Sequence, residues 1–279
     1  MSQASSPSRP EPSQPVPFEL AVVGGGNMGA ALAGGLVAAG TVRAEHLAIV
    51  EVVADRRDVL REQFRGVAVS ESIPACAAAV VAVKPGDVAA AARAAAAAGA
   101  TRVLSVAAGI STTTIDDACG PGVAVVRAMP NTPALVRQGA AAIAPGAHAT
   151  EADLVWAESI LGAVGIVVRV DEAQLDAVTG LAGSGPAYVF LVAEALIEAG
   201  VEAGLDRVTT ERLVTQLLVG SSALLAQEGD PARLRAMVTS PGGTTAAGLR
   251  VLEARGVPAA ILEAVTSATE RSREMGAAR

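Results

Sequence analysis

From Phe18 to about residue 168, short apolar runs alternate with helix-forming stretches, and after Asp171 the apolar runs of strand length stop. This change of pattern constrains the fold of the 279-residue chain more than any other feature. The runs Leu20–Gly24, Leu47–Val52, Ala79–Val83, Arg102–Val106, Ala124–Ala128, Ala140–Ala144 and Gly165–Arg169 carry the strand–helix–strand signature. The alanine-rich stretch Val88–Ala98 falls where a crossover helix is required, and alanine has the highest helix propensity. Amphipathic helices are expected at 172–203, 206–228, 231–238, 244–255 and 258–276, separated by Gly204-Leu-Asp206, Gly229-Asp-Pro231 and Gly256-Val-Pro258. The expected class is α/β, with a doubly wound domain over 18–170 and an all-helical domain over 171–279. Residues 1–17, rich in Ser, Pro and Gln, are expected to form a disordered tail.

The first strand runs directly into Val23-Gly24-Gly25-Gly26-Asn27-Met28-Gly29 and then a helix. In Gly24-x-Gly26-x-x-Gly29 the first glycine permits a tight turn, the second lets a pyrophosphate approach the backbone, and the third allows close helix packing. This context predicts a Rossmann-type dinucleotide site with phosphates at the helix N-terminus. Glu51 closes the second run, where a carboxylate accepts hydrogen bonds from an adenosine ribose and disfavours a 2′-phosphate. Arg56 and Arg57 follow within reach of a phosphate, or as solvated charges on the next helix, so the choice between NAD and NADP stays open.

Lys84, the one lysine against twenty arginines, follows a strand in Ala82-Val83-Lys84-Pro85, at the sheet edge where open α/β folds bind ligands. Val106-Ala107-Ala108-Gly109 and Ala128-Met-Pro-Asn131-Thr-Pro133 also follow strands and would flank the nicotinamide end. Asn131 is placed either to orient an amide of substrate or cofactor or to cap the turn around the two prolines. Near the C-terminus, Val238-Thr-Ser240-Pro-Gly-Gly243-Thr244-Thr245 ends one helical pattern and opens another, presenting bare N–H groups and hydroxyls to a carboxylate. Together these features suggest a dehydrogenase acting on a small acid.

Composition narrows the alternatives. Five aromatic residues and a net charge of −7 argue against nucleic acid. The uncharged run Ala177 to Ala193 contains Gly180, Gly183, Gly185 and Pro186, so no membrane span is expected. Cys76 and Cys119 make neither a disulfide framework nor a metal site, no export-type segment opens the sequence, and the expected compartment is the cytoplasm. His46 and His148 lie in polar loops away from orienting carboxylates, which disfavours imidazole acid–base chemistry. Oxidising an alcohol usually needs such a base; reducing an imine needs a hydride donor, an anchored substrate and a weak proton source, which a Thr hydroxyl or water can be.

With these residues in view, the chain resembles pyrroline-5-carboxylate reductase over about residues 18–275. The resemblance is carried by the segment from Arg233 to Glu253, by Arg127-Ala-Met-Pro-Asn-Thr-Pro-Ala134, by Ala82-Val-Lys-Pro85 and by Gly183-Ser-Gly-Pro-Ala-Tyr188. It implies that Val23–Met28, Ala82–Pro85 and Val106–Ala108 contact NAD(P)H, and that Thr245 and the backbone of Gly243–Thr245 receive 1-pyrroline-5-carboxylate. It further implies that Val238 and Ser240 line the same pocket, that Glu228 approaches the ring nitrogen through water, and that the helical domain forms an interlocked homodimer, often assembled into a decamer. Two departures stand out: Ala182 where the family commonly has Ser, and Glu51-Val52-Val53 in place of a Ser- or Arg-containing turn. The rival readings are a β-hydroxyacid-type dehydrogenase, whose helical-domain lysine is missing after residue 84, and a non-catalytic dinucleotide-binding sensor, which needs no intact Ser240–Thr245 segment.

Overall fold

The computed structural model describes residues 18–277; the expected tail over 1–17 lies outside them. The chain alternates β1 (Phe18–Val23), α1 (Asn27–Ala39), β2 (Leu47–Val50), α2 (Ala54–Gln63), β3 (Ala68–Ser70), β4 (Cys76–Val81), α3 (Val88–Ala97), β5 (Arg102–Ser105), α4 (Thr112–Cys119) and β6 (Ala124–Met129). It continues through β7 (Gly139–Pro145), α5 (Glu151–Gly162) and β8 (Gly165–Arg169) before turning wholly helical.

The eight strands form one sheet in the order β3-β2-β1-β4-β5-β6-β7-β8. Strand alternation divides its core in two. Leu20, Val22, Leu47, Ile49 and Val80 face one side with Leu32, Leu36, Ile160 and Leu161. Ala21, Val23, Ala79 and Val81 face the other, packed with Val88, Ala92, Ala95 and Ile115. Chain order reverses between β1 and β4, the switch point where doubly wound sheets open a crevice at their carboxyl edge.

Three expectations need correction. β3 was not anticipated: its three residues, Ala68-Val-Ser70, are half-buried and too few to show a period. β4 ends at Val81 rather than Val83, which places Ala82 and Val83 in the loop that leaves the edge. β7 pairs antiparallel with β6, because only a short 3₁₀ turn, Thr132–Val136, connects them and a parallel return needs a crossover helix.

The helical half comprises α6 (Leu175–Val178), α7 (Gly185–Glu202), α8 (Arg207–Glu228), α9 (Pro231–Met237), α10 (Thr244–Ala254) and α11 (Val257–Ala277). The single helix expected over 172–203 is interrupted by a π-turn at Thr179–Gly183. There Gly180 is pressed against α11, and a methyl group on it would come within 2.7 Å of the Val265 carbonyl. By length and composition alone, Glu172–Glu202 is apolar enough to cross a membrane, which the expectation of no span did not allow for. α7 and α10 bury no residue and α8 buries only Thr210 and Val214, so this half lacks a hydrophobic core of its own among the described residues.

Candidate cofactor and substrate sites

The glycine turn sits at the switch point, with Gly24 N–H donating to the Val50 carbonyl at 2.8 Å and Ala82 N–H to Val23 at 2.7 Å. Gly24 has φ +106°, and a Cβ there would stand 2.5 Å from the Ala82 carbonyl oxygen. Gly29 packs against the Gly24 carbonyl, which leaves no space for a side chain. Gly26 differs: its φ of −68° suits any residue, and nothing lies within 4 Å of an added Cβ. Nothing within the chain requires glycine there. The empty space lies over the uncapped start of α1, where the first helical bond is Ala30 N–H to the Gly26 carbonyl, leaving Asn27, Met28 and Gly29 N–H groups to face an anion. The turn therefore fits a dinucleotide pyrophosphate.

Register brings the other expected cofactor residues to the same edge. Val23 pairs with Val50 and Val81, and Val81 with Ser105, so Glu51, Ala82–Pro85 and Val106–Ala108 leave the sheet side by side. Lys84 is exposed and forms no ion pair among the described residues. Glu51 is not a free carboxylate: Gly25 N–H donates to Oε2 at 3.1 Å and Val53 N–H to Oε1 at 2.9 Å. Arg56 and Arg57 are not solvated charges either, since Arg56 Nε donates to the Gly25 carbonyl and Arg57 to the Glu51 and Val52 carbonyls.

Asn131 braces two segments of the chain. Its Oδ1 accepts from Ala140 N–H at 2.9 Å, and its Nδ2 donates to the Ala182 carbonyl at 3.1 Å, so each end of the amide has a partner and keeps one lone pair or N–H to spare. This bond joins the β6–β7 loop to the π-turn and makes one wall of a 340 Å³ cleft with Pro133, Leu181, Pro186, Val189 and Phe190. Residue 182 takes part through its carbonyl, which Ala supplies as well as Ser. Both histidines lie at the opposite, amino edge: His46 precedes β2, and His148 follows the antiparallel β7.

At the second candidate site, Gly242 turns with φ +72° and Gly243 opens α10 without any side-chain cap. By contrast, Ser111, Asp206 and Asp230 cap α4, α8 and α9 with their side chains. The Gly243 N–H is consumed by the Ser240 carbonyl at 3.0 Å, and the first helical bond is Ala247 to Gly243. The donors left for a carboxylate are thus those of Thr244, Thr245 and Ala246, a shift of one residue from the expected set. Sequence reasoning missed Ala246, although counting to N3 of the helix would have found it. Val238 and Ser240 are exposed beside this start, and Thr245 is half-buried. Glu228 ends α8 and is paired with Arg233 at 3.4 Å.

A family of pyrroline-5-carboxylate reductase dimerisation domains matches residues 172–275, and a family described as NADP oxidoreductase, coenzyme F420-dependent, matches residues 19–109. The pyrroline-5-carboxylate reductase of Synechocystis is 43% identical over 266 residues, covering 93% of this chain and 98% of its own. This chain belongs to the pyrroline-5-carboxylate reductase family. The solved reductase from Coxiella burnetii superposes with a TM-score of 0.85 at 33% identity, covering 93% of this chain and 98% of that one. The Plasmodium falciparum reductase, solved with NADP bound, gives 0.81 at 29% identity over 94% and 99%. Membership in the reductase family makes the chain an NAD(P)H-dependent oxidoreductase and its helical half a dimerisation domain. The dimerisation-domain match covers α7 and α8, whose apolar residues are largely exposed.

Proposed function

We propose that this chain reduces 1-pyrroline-5-carboxylate to L-proline with NAD(P)H, the last step of proline biosynthesis. The observation that carries the reading is the pair of uncapped, glycine-opened helices. One has space for a pyrophosphate over Gly26; the other presents the N–H groups of Thr244, Thr245 and Ala246 beside the Thr245 hydroxyl. The first is held by Val23–Gly29 and flanked by Lys84, Pro85 and Val106–Ala108. When bound, the reduced nicotinamide supplies the hydride.

The protein's part is positional and electrostatic. The α10 start grips the substrate carboxylate and fixes the imine carbon, and such orientation supplies most of the acceleration. Electron density that arrives on nitrogen is met by a proton from Thr245, directly or through water, with Glu228 near the water path. Placement of both histidines at the far edge agrees with a reaction that needs no imidazole. We divide the chain at residue 170/171 into a dinucleotide-binding domain and a substrate and dimerisation domain.

α10 packs chiefly on α11 and makes no extensive contact with the sheet. We infer a homodimer in which the α10 start of one copy closes over the sheet edge of the other, with dimers assembled further into a decamer. We place the reaction in the cytoplasm, in keeping with two free thiols, Cys76 and Cys119, each pushed up to about 11, chiefly by burial. The test follows absorbance of NADH, and separately NADPH, on adding pyrroline-5-carboxylate to wild type and Thr245→Ala. Wild type should oxidise cofactor, and the variant should turn over about a hundredfold more slowly with dinucleotide affinity retained. No substrate-dependent oxidation with either cofactor would overturn the reading in favour of a dinucleotide-binding sensor.

A further inference from the structure

We propose that Glu51, locked between two backbone donors, makes this chain selective for NADH over NADPH; the proposal rests on the reductase reading for its turnover measurement but not for its binding measurement. β2 ends at Val50 beside Val23 of β1, so Glu51 emerges next to the glycine turn. Its two oxygens are fixed by Gly25 N–H at 3.1 Å and Val53 N–H at 2.9 Å, which prevents the carboxylate from swinging away. A dinucleotide whose pyrophosphate lies over Gly26 brings its adenosine ribose to this point. Each carboxylate oxygen has a second lone pair, so ribose hydroxyls can donate to it. A 2′-phosphate brings about −1.5 to −2 of charge and faces the carboxylate with repulsion instead.

A nearby arginine could reverse this outcome; here Arg57 and Arg61 are paired with carboxylates, and Arg56 is anchored through one of its five donors. Arg57, 14% exposed, donates to the Glu51 and Val52 carbonyls and pairs with Glu71 at 3.1 Å. Arg56 is tied through Nε to the Gly25 carbonyl, and Arg61 to Asp58 at 2.6 Å. The residues that project beyond Glu51 are Val52 and Val53, 74% and 56% exposed, which offer a phosphate no side-chain donor. The arginines thus stabilise the backbone that holds Glu51 in place. Removing the carboxylate would leave the Gly25 and Val53 N–H groups free to meet a phosphate.

Full-length protein is titrated calorimetrically with NADH and NADPH without substrate, and kcat/KM is measured for both with pyrroline-5-carboxylate. Wild type should bind NADH about tenfold or more tightly than NADPH, and Glu51→Gln and Glu51→Ser should each shift that ratio towards NADPH by about 10- to 100-fold. If these variants do not fold, Val52→Arg leaves Glu51 in place and should raise NADPH affinity alone. Equal or tighter NADPH binding by wild type would overturn the proposal, as would an unchanged ratio in folded Glu51 variants. Selective NADH binding without turnover of pyrroline-5-carboxylate would support it while overturning the reductase reading.

Discussion

A methyl group added at Gly26 and one added at Gly24 should leave opposite signatures. Gly26→Ala puts a Cβ into open space at an ordinary φ, so stability should change by less than about 1 kcal/mol, while dinucleotide affinity falls about tenfold because the pyrophosphate loses its approach. Gly24→Ala forces a left-handed φ and a contact with the Ala82 carbonyl, which should cost about 1–3 kcal/mol, seen in a thermal melt without any ligand. The glycine spacing was legible because Gly24 and Gly29 answer steric demands of a strand–turn–helix, while Gly26 answers the approach of a ligand. The donor set at the α10 start was legible to within one residue, because the turn bond from Gly243 to Ser240 is a backbone choice that side chains do not announce. Asn131 was readable as a turn residue or a ligand contact, and its bracing bonds to Ala140 and Ala182 appear only once the fold places those residues around it.

Glu172 begins the helical half and holds it to the sheet. Thr112 donates from both N–H and Oγ1 at 2.6 Å, and Arg127 donates at 3.1 Å. Burial alone would push the carboxyl up, but these bonds outweigh it and keep Glu172 below the ordinary glutamate range. A folded value below the unfolded one means that the folded state binds fewer protons. The stabilisation is therefore present above the ordinary value, about 4.3, and lost as pH falls through the folded value. Glu172→Gln should lower stability at pH 7 by about 1–3 kcal/mol, by leaving the buried Arg127 without its anion, and should flatten the acid limb of a melting-temperature profile. The elements with long periodic patterns, α8 and α11 above all, were read to within a residue or so of their bounds. Those that failed did so for local reasons: β3 is too short, and the π-turn at Thr179–Gly183 answers a close approach by α11 that helical periodicity does not encode.

The whole molecule pairs a sheet with two full cores and a helical half with almost none. Leu213 and Leu217, one turn apart on α8, are 57% and 52% exposed. Replacing both with Asp should weaken association about a hundredfold or more and lower specific activity with it, as sedimentation and turnover assays over a dilution series would show. That such a surface seeks a second copy was legible from the family resemblance and not from hydrophobic patterning, which reads an apolar helix face the same way whatever covers it. The stand-off of α10 from the sheet has a genetic consequence. If one copy's sheet edge works with the other's α10, Gly24→Ala and Thr245→Ala chains are each defective alone but complementary. Co-expressed, they should form mixed dimers that carry one doubly damaged site and one wholly intact site, and activity should return in a cell that holds no wild-type chain.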